Sequence, residues 1–350
     1  MTAPAAAHAR AGTPGTQSNR GLFYALLIAA TLLPYLLFPI CLYLLPQSPA
    51  SMPALQTFLF LGAGGHVAAS FFFYEDPEVR SFMRDGRWVR YTAAPIILLI
   101  AAGAAFSLGP PTLRAHATLA FWIWQVHHFT RQNHGILAFA SRADGVAVST
   151  VERTAITLTD LGAVLATLCL VTPLRATVLA DWGWQIYATA AGCYAAAWIF
   201  FAAGRPLQHL AAAPLRTLIY FLLMLFYLPL FLFDDPFPAV YMYLVAHGLQ
   251  YLVFMGFVAG RPRASLARRL GTLTVFTLAG GALIRMMQTP DLWGPWRETA
   301  MGLSLGIIMW HFVLDAGVWR LSEPFQRGFM AERFDFLRSG PRRPATGAGR

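Results

Sequence analysis

Blocks of roughly 20 apolar residues, separated by short connections rich in Arg, Asp, Pro and Gly, recur along the chain from residue 22 to residue 320. A helix of about that length crosses the hydrocarbon core of a bilayer. The pattern predicts ten spans, at 22–45, 55–74, 91–108, 116–140, 154–173, 184–203, 214–233, 238–260, 269–288 and 299–320. The fold expected is therefore all-α, a polytopic transmembrane helical bundle. Residues 1–20, rich in Ala, Pro, Gly and Thr, are expected to form a disordered cytoplasmic tail. Residues 21–320 are the transmembrane domain, and 321–350 a cytoplasmic tail that opens as a short surface helix and ends disordered. The first block is too long for a signal-peptide core and no small-residue cleavage motif follows it, so it reads as a retained span.

Composition agrees with the pattern. Only 12% of the 350 residues are charged, half the share of about a quarter found in soluble domains, which excludes a soluble or disordered chain. The formal charge is +10, and all 26 basic residues are arginine. Such an excess can mark a nucleic-acid partner, but these arginines lie between the apolar blocks. With the N-terminus in the cytoplasm, 21 fall on the inner side, four (Arg114, Arg175, Arg285, Arg297) on the outer side, and Arg131 within a span. That bias predicts a multi-pass protein of the cytoplasmic (inner) membrane with both termini cytoplasmic and no nucleic-acid partner. Cys41, Cys169 and Cys193 sit in apolar stretches without CxxC spacing, so neither disulfides nor thiolate metal sites are expected. The chain has no phosphate-binding glycine loop, no internal repeat and no soluble insert, which leaves chemistry only in or against the membrane.

Six of the nine histidines lie inside the predicted spans: His66, His127, His128, His134, His247 and His311. Ionisable groups are expensive in hydrocarbon and mark sites, relays or cavities. One such histidine alone is ordinarily a packing hydrogen bonder; six on four helices point to a metal. Counted from the inner ends at about 1.5 Å per residue, His66, His134 and His311 form one layer, and His127, His128 and His247 a second layer roughly 7–8 Å farther out.

Span 4, FWIWQVHHFTRQNHG, places His127, Arg131 and His134 on one face and His128 with Gln132 on the adjoining arc, a polar surface that cannot look at lipid. Span 10 puts His311 and Asp315 one turn apart, so that the carboxylate can join the ligands or orient an imidazole. Span 8 gathers His247, Gln250 and Tyr251, and span 2 carries glycines just before His66 that admit a close neighbour. Asp160 reaches the inner layer as a carboxylate ligand or a proton carrier. Arg131 either neutralises Asp160 or Asp315, or holds an anionic group of a substrate or cofactor. Trp124 and Trp310 adjoin the histidines and can wall a pocket. His116 and His209 read as solvated or structural, and His8 lies in the tail. The Glu75, Asp76, Glu78 and Asp85 cluster reads as a solvated interfacial loop, at a rim able to receive an electron-donor protein.

The metal ligands expected are thus His66, His127, His128, His134, His247, His311 and Asp315, with Asp315, Arg131 and Tyr251 as the catalytic set. Imidazole and carboxylate suit iron, copper, zinc or manganese. In histidine number and depth, spans 2, 4, 8 and 10 resemble polytopic histidine-ligated membrane oxygenases, the fatty-acid hydroxylase and desaturase group and the carotenoid-cleaving Brp/Blh group. That group's HxxxH and HxxHH boxes are replaced here by HHxxxxxH at His127, His128 and His134 and by HxxxD at His311 and Asp315. The resemblance implies an oxidoreductase with mono- or dinuclear non-haem iron that turns O₂ on a hydrophobic or lipid-soluble substrate. Two other readings stay open. One is a haem-binding electron-transfer or quinol-oxidising protein, with His127 and His247, or His66 and His311, as axial pairs; copper is the other metal alternative. The second is a proton-coupled transporter relaying through His127, Arg131, His134, Asp160 and Asp315.

Overall fold

Proline opens many of the helices, at the first-turn positions where its missing N–H costs nothing. The structure is a computed structural model and describes residues 14–45, 51–170, 181–204, 210, 212–260 and 265–337. Among these, every regular element is helical and none is a strand. The main helices are α1 (Pro14–Pro39), α2 (Leu55–Tyr74), α3 (Pro77–Arg84), α4 (Val89–Leu108), α5 (Pro111–Ala143) and α6 (Thr150–Leu170). They are followed by α7 (Gly183–Ala203), α8 (Pro214–Leu225), α9 (Pro236–Ala259), α10 (Leu266–Met287), α11 (Arg297–Val318) and α12 (Pro324–Arg333).

Among the described residues, eight helices are long and apolar enough to cross a membrane: α1, α2, α4, α6, α7, α9, α10 and α11. The other two expected spans are of a different kind. α5 runs for 33 residues, but its buried positions include Gln125, His128, Thr130 and Asn133, so its length is spent on a polar interior face. The segment at 214–233 is broken: α8 ends at Leu225, the chain turns, and only one further turn, Pro229–Leu232, follows. Pro229 has no N–H to continue the ladder, and the chain passes through tighter turns in which the Leu228 N–H donates to the Leu225 carbonyl at 2.9 Å and the Leu230 N–H to that of Tyr227 at 3.1 Å. The break turns the Tyr227 hydroxyl toward α5, where it donates to the Val126 carbonyl at 3.1 Å and meets the Thr130 hydroxyl at 2.8 Å.

Apolar packing forms two large clusters. One centres on Phe23, Phe139, Phe254, Phe334 and Phe336, the other on Phe38, Phe129, Phe226, Tyr227 and Tyr243. On α5 and α9 the two meet between Phe129 and Ile136 and between Ala246 and Tyr251, the level of the candidate histidines.

The structure departs from expectation at the N-terminal end. α1 begins at Pro14, inside the stretch expected to be disordered, and Arg20 pairs with Asp144; residues 1–13, with His8, lie outside the described residues, as do His209 and 338–350. α12 is the expected short helix after the last span; Arg327, Gly328 and Glu332 are exposed, while its other face is anchored by Phe329 and Met330 in the first cluster. The acidic segment after α2 is not simply solvated. Asp76 is buried; its Oδ1 caps α3 by accepting from the N–H groups of Glu78 and Val79, and its Oδ2 binds Arg269 at 3.1 Å and Arg333 at 3.2 Å. The Asp-Pro-Glu order at 76–78 is the helix-start signature that points to this role.

Candidate metal centre

The approach of α2 to α9 depends on glycine. A Cβ on Gly248 would overlap the Gly62 carbonyl oxygen, so the two backbones touch where they cross. Gly62 lies one turn before His66, and Gly248 directly follows His247, so the crossing brings both imidazoles to one place. A π-helical turn, Leu61–Gly65, ends just before His66 and adds the extra residue that rotates it into the interior.

α5 and α11 complete the arrangement. Ring centroids are 4.9 Å apart for His66 and His247, 5.1 Å for His247 and His128, 5.0 Å for His128 and His311, and 5.0 Å for His311 and His66. Four imidazoles from four helices therefore form a closed ring, with His247 and His311 6.4 Å apart across it. Ligand atoms of His66, His247 and His311 all lie within 4.8 Å of one another, as do those of His128, His311 and Asp315. Asp315 Oδ2 is 3.6 Å from His311 Nε2 and 3.7 Å from His128 Nε2, while Tyr251 donates to Oδ1 at 2.9 Å. One carboxylate oxygen is thus fixed by a phenol and the other faces the imidazoles.

All four histidines are buried, yet both ring nitrogens of His247 and of His311, Nε2 of His128 and Nδ1 of His66 have no hydrogen-bond partner. A buried polar atom without a partner costs about 1–3 kcal/mol, so six together form a large uncompensated penalty. An ion bound by imidazole lone pairs removes it, and the carboxylate adds the negative charge that a cation requires. The residues present fit a metal. Surrounding groups hold them in place: Phe312 stacks on His128 at 4.4 Å, and Phe129 lies 4.0 Å from His247. Gln132 donates to the His247 carbonyl oxygen at 3.2 Å and to Gln250 at 3.1 Å, and Gln250 donates to Thr31 at 2.8 Å.

Two of the expected ligands stand elsewhere. His127 points away from the ring, and its Nδ1 is 3.1 Å from Asp160 Oδ2. His134 Nε2 lies 3.4 Å from the Thr157 hydroxyl. Consecutive residues on a helix diverge by 100°, so His128 facing the ring sends His127 to the next arc. The two expected layers also merge into one, because the helices end at different heights: α5 continues to Ala143, well past His128, whereas α11 stops at Val318, soon after His311. Asp160 is a partner of His127 and of the Thr130 hydroxyl at 2.8 Å, not a member of the ring. Trp310 donates to the Tyr74 hydroxyl at 2.9 Å, and His116 contacts the Thr112 carbonyl.

A cavity of about 320 Å³ opens beside the ring, with His128, Tyr251 and Asp315 in its wall and Trp124, His127 and Arg131 along the rest of α5. No protein-family profile, curated protein or solved structure matches the chain.

Proposed function

We propose that the chain is an integral-membrane, histidine-ligated metal oxidoreductase, with non-haem iron as its metal, that uses O₂ on a hydrophobic substrate. One observation carries the reading: four buried histidines from four helices close into a ring in which six of the eight nitrogens lack hydrogen-bond partners, against a carboxylate that a tyrosine orients. His66, His128, His247, His311 and Asp315 would hold the ion. When bound, iron supplies O₂ binding and electron transfer. Tyr251 keeps one oxygen of Asp315 engaged and leaves the other for the centre. Phe129 and Phe312 pack against the imidazoles and exclude water. The adjoining cavity presents a substrate to His128 and Asp315 from the side. His127, oriented by Asp160, sits in the same wall and can take or give a proton at its outward nitrogen.

A haem fits this arrangement less well. The pair His66 and His311 has centroids 5.0 Å apart with His128 and His247 packed beside them, so a porphyrin plate between them would displace both. For a proton-coupled transporter, only His127 and Asp160 of the five relay residues are joined.

In this reading α5 and the broken segment at 214–233 bring the number of crossings to ten, with both termini cytoplasmic as the arginine distribution requires. Elemental analysis and an absorption spectrum of the detergent-purified protein test the function. Bound iron without a Soret band is expected; a Soret band, or a protein that binds no transition metal after growth in iron-replete medium, overturns it.

A further inference from the structure

The cavity beside the ring has two kinds of wall. Trp124, Ile136, Phe139, Phe254 and Phe312 make most of it apolar, while Arg131 and Arg320 bring two guanidinium groups to it. Arg131 makes no ion pair or hydrogen bond to any described residue. Arg320 spends only its Nε, on the Ala316 carbonyl oxygen at 2.8 Å. The nearby carboxylates are turned to other groups, Asp160 to His127 and Thr130 and Asp315 to Tyr251, and neither pairs with either guanidinium. Of the two roles open to Arg131, neutralising a neighbouring acid therefore has no acid left to serve it.

On the reading that counts α5 as a crossing, Arg131 lies at membrane depth, where a cation is costly and is retained where something compensates it. Guanidinium is the side chain best matched to a carboxylate or phosphate, which it binds through two parallel hydrogen bonds. Both guanidinium groups are exposed where the cavity opens, so the cavity offers cationic groups at the rim of a largely apolar recess. We infer that the cavity binds a single-chain amphipath whose anionic head is held by Arg131 with help from Arg320, its hydrocarbon chain running along Trp124 and Phe312. His128 is one turn from Arg131 on α5, and Asp315 is in the same wall, so the head-proximal part of the chain faces the ring. This names the substrate class of the proposed oxidoreductase and rests on that reading for the reacting position, but not for binding.

The test uses the full chain in phosphatidylcholine nanodiscs, with radiolabelled dodecanoate binding measured above that of empty discs. Dodecanoate, dodecyl phosphate, dodecanol and dodecyltrimethylammonium then compete for the label. The anionic probes are expected to displace it at concentrations at least about tenfold below dodecanol. R131Q should weaken dodecanoate by about tenfold or more, R320Q by less, and R131K by the least, with dodecanol binding unchanged in all three. The better of the two anionic probes separates a fatty-acid head from a phospholipid-type head. No specific dodecanoate binding, dodecanol competing as well as dodecanoate, or R131Q losing both probes equally overturns the proposal. Metal content measured on the same samples keeps the two readings apart: wild-type protein that binds dodecanoate without metal removes the oxidoreductase and leaves the anion site.

Discussion

At Asp76 both carboxylate oxygens are used, one by two backbone N–H groups and the other by Arg269 and Arg333. At the histidine ring, buried to the same degree, six imidazole nitrogens make no hydrogen bond, and two of them come no nearer to a partner than 3.6 and 3.7 Å from Asp315 Oδ2. At the Asp76 hub each guanidinium has a carboxylate partner even though the Nε of Arg269 and of Arg333 stays unpaired, and its product is cohesion: it ties the start of α3 to α10 and to α12. The ring is incomplete within the chain. Its geometry is held by glycine contact, stacked phenylalanines and a glutamine pair, all of which position the imidazoles without occupying their nitrogens. Burial of polar groups alone therefore does not distinguish a site from a strut; whether the groups satisfy one another does.

The largest effect that separates the two regions is expected from H247A. It should reduce bound metal to background while the protein still elutes as a single species in detergent; metal retained at the wild-type level breaks the comparison. D76N removes the anion from half-buried Arg269 and leaves buried Arg333 with only the more exposed Glu78 and Glu332, which costs about 1–3 kcal/mol. It should lower the thermal unfolding midpoint sharply without changing metal content, and a wild-type midpoint would show the hub to be dispensable. D315N should weaken metal binding by about 10–100-fold, read by competition with a chelator of known affinity. Smallest of all, H127A and H134A should each leave metal content unchanged, since neither reaches the ring. Metal lost from either variant would mean that the ring includes a residue the structure places outside it.

The sequence already carried much of this. Apolar block length located the helices, and α2, α4 and α7 begin and end within a few residues of the predicted bounds. Helical periodicity on single segments also worked: His311 with Asp315, and His247 with Tyr251, fall together as a 100° rotation requires. It failed where the answer depends on relations between helices. Periodicity put His127 and His128 on a shared polar surface, but which of the two turns inward is decided by the packing of α5 against α9 and α11. Depth counted from span ends assumed one flat boundary, and α5 outruns it. Asp76 was misjudged because charge density suggested solvent, whereas its partners, Arg269 and Arg333, are remote in sequence.

The ring draws its four corners from α2, α5, α9 and α11, and His311 is the last of them in chain order. During synthesis, then, the first three histidines are threaded into the bilayer before the fourth exists. A nascent chain can present at most part of the donor set, so premature capture of an ion by an unfinished protein is disfavoured. α12 and its Arg333 follow later still and fasten onto Asp76, made some 257 residues earlier. Assembly of the ring is thereby deferred until α11 has been made and closure of the Asp76 hub until α12 has; on the proposed reading, metal loading would follow both.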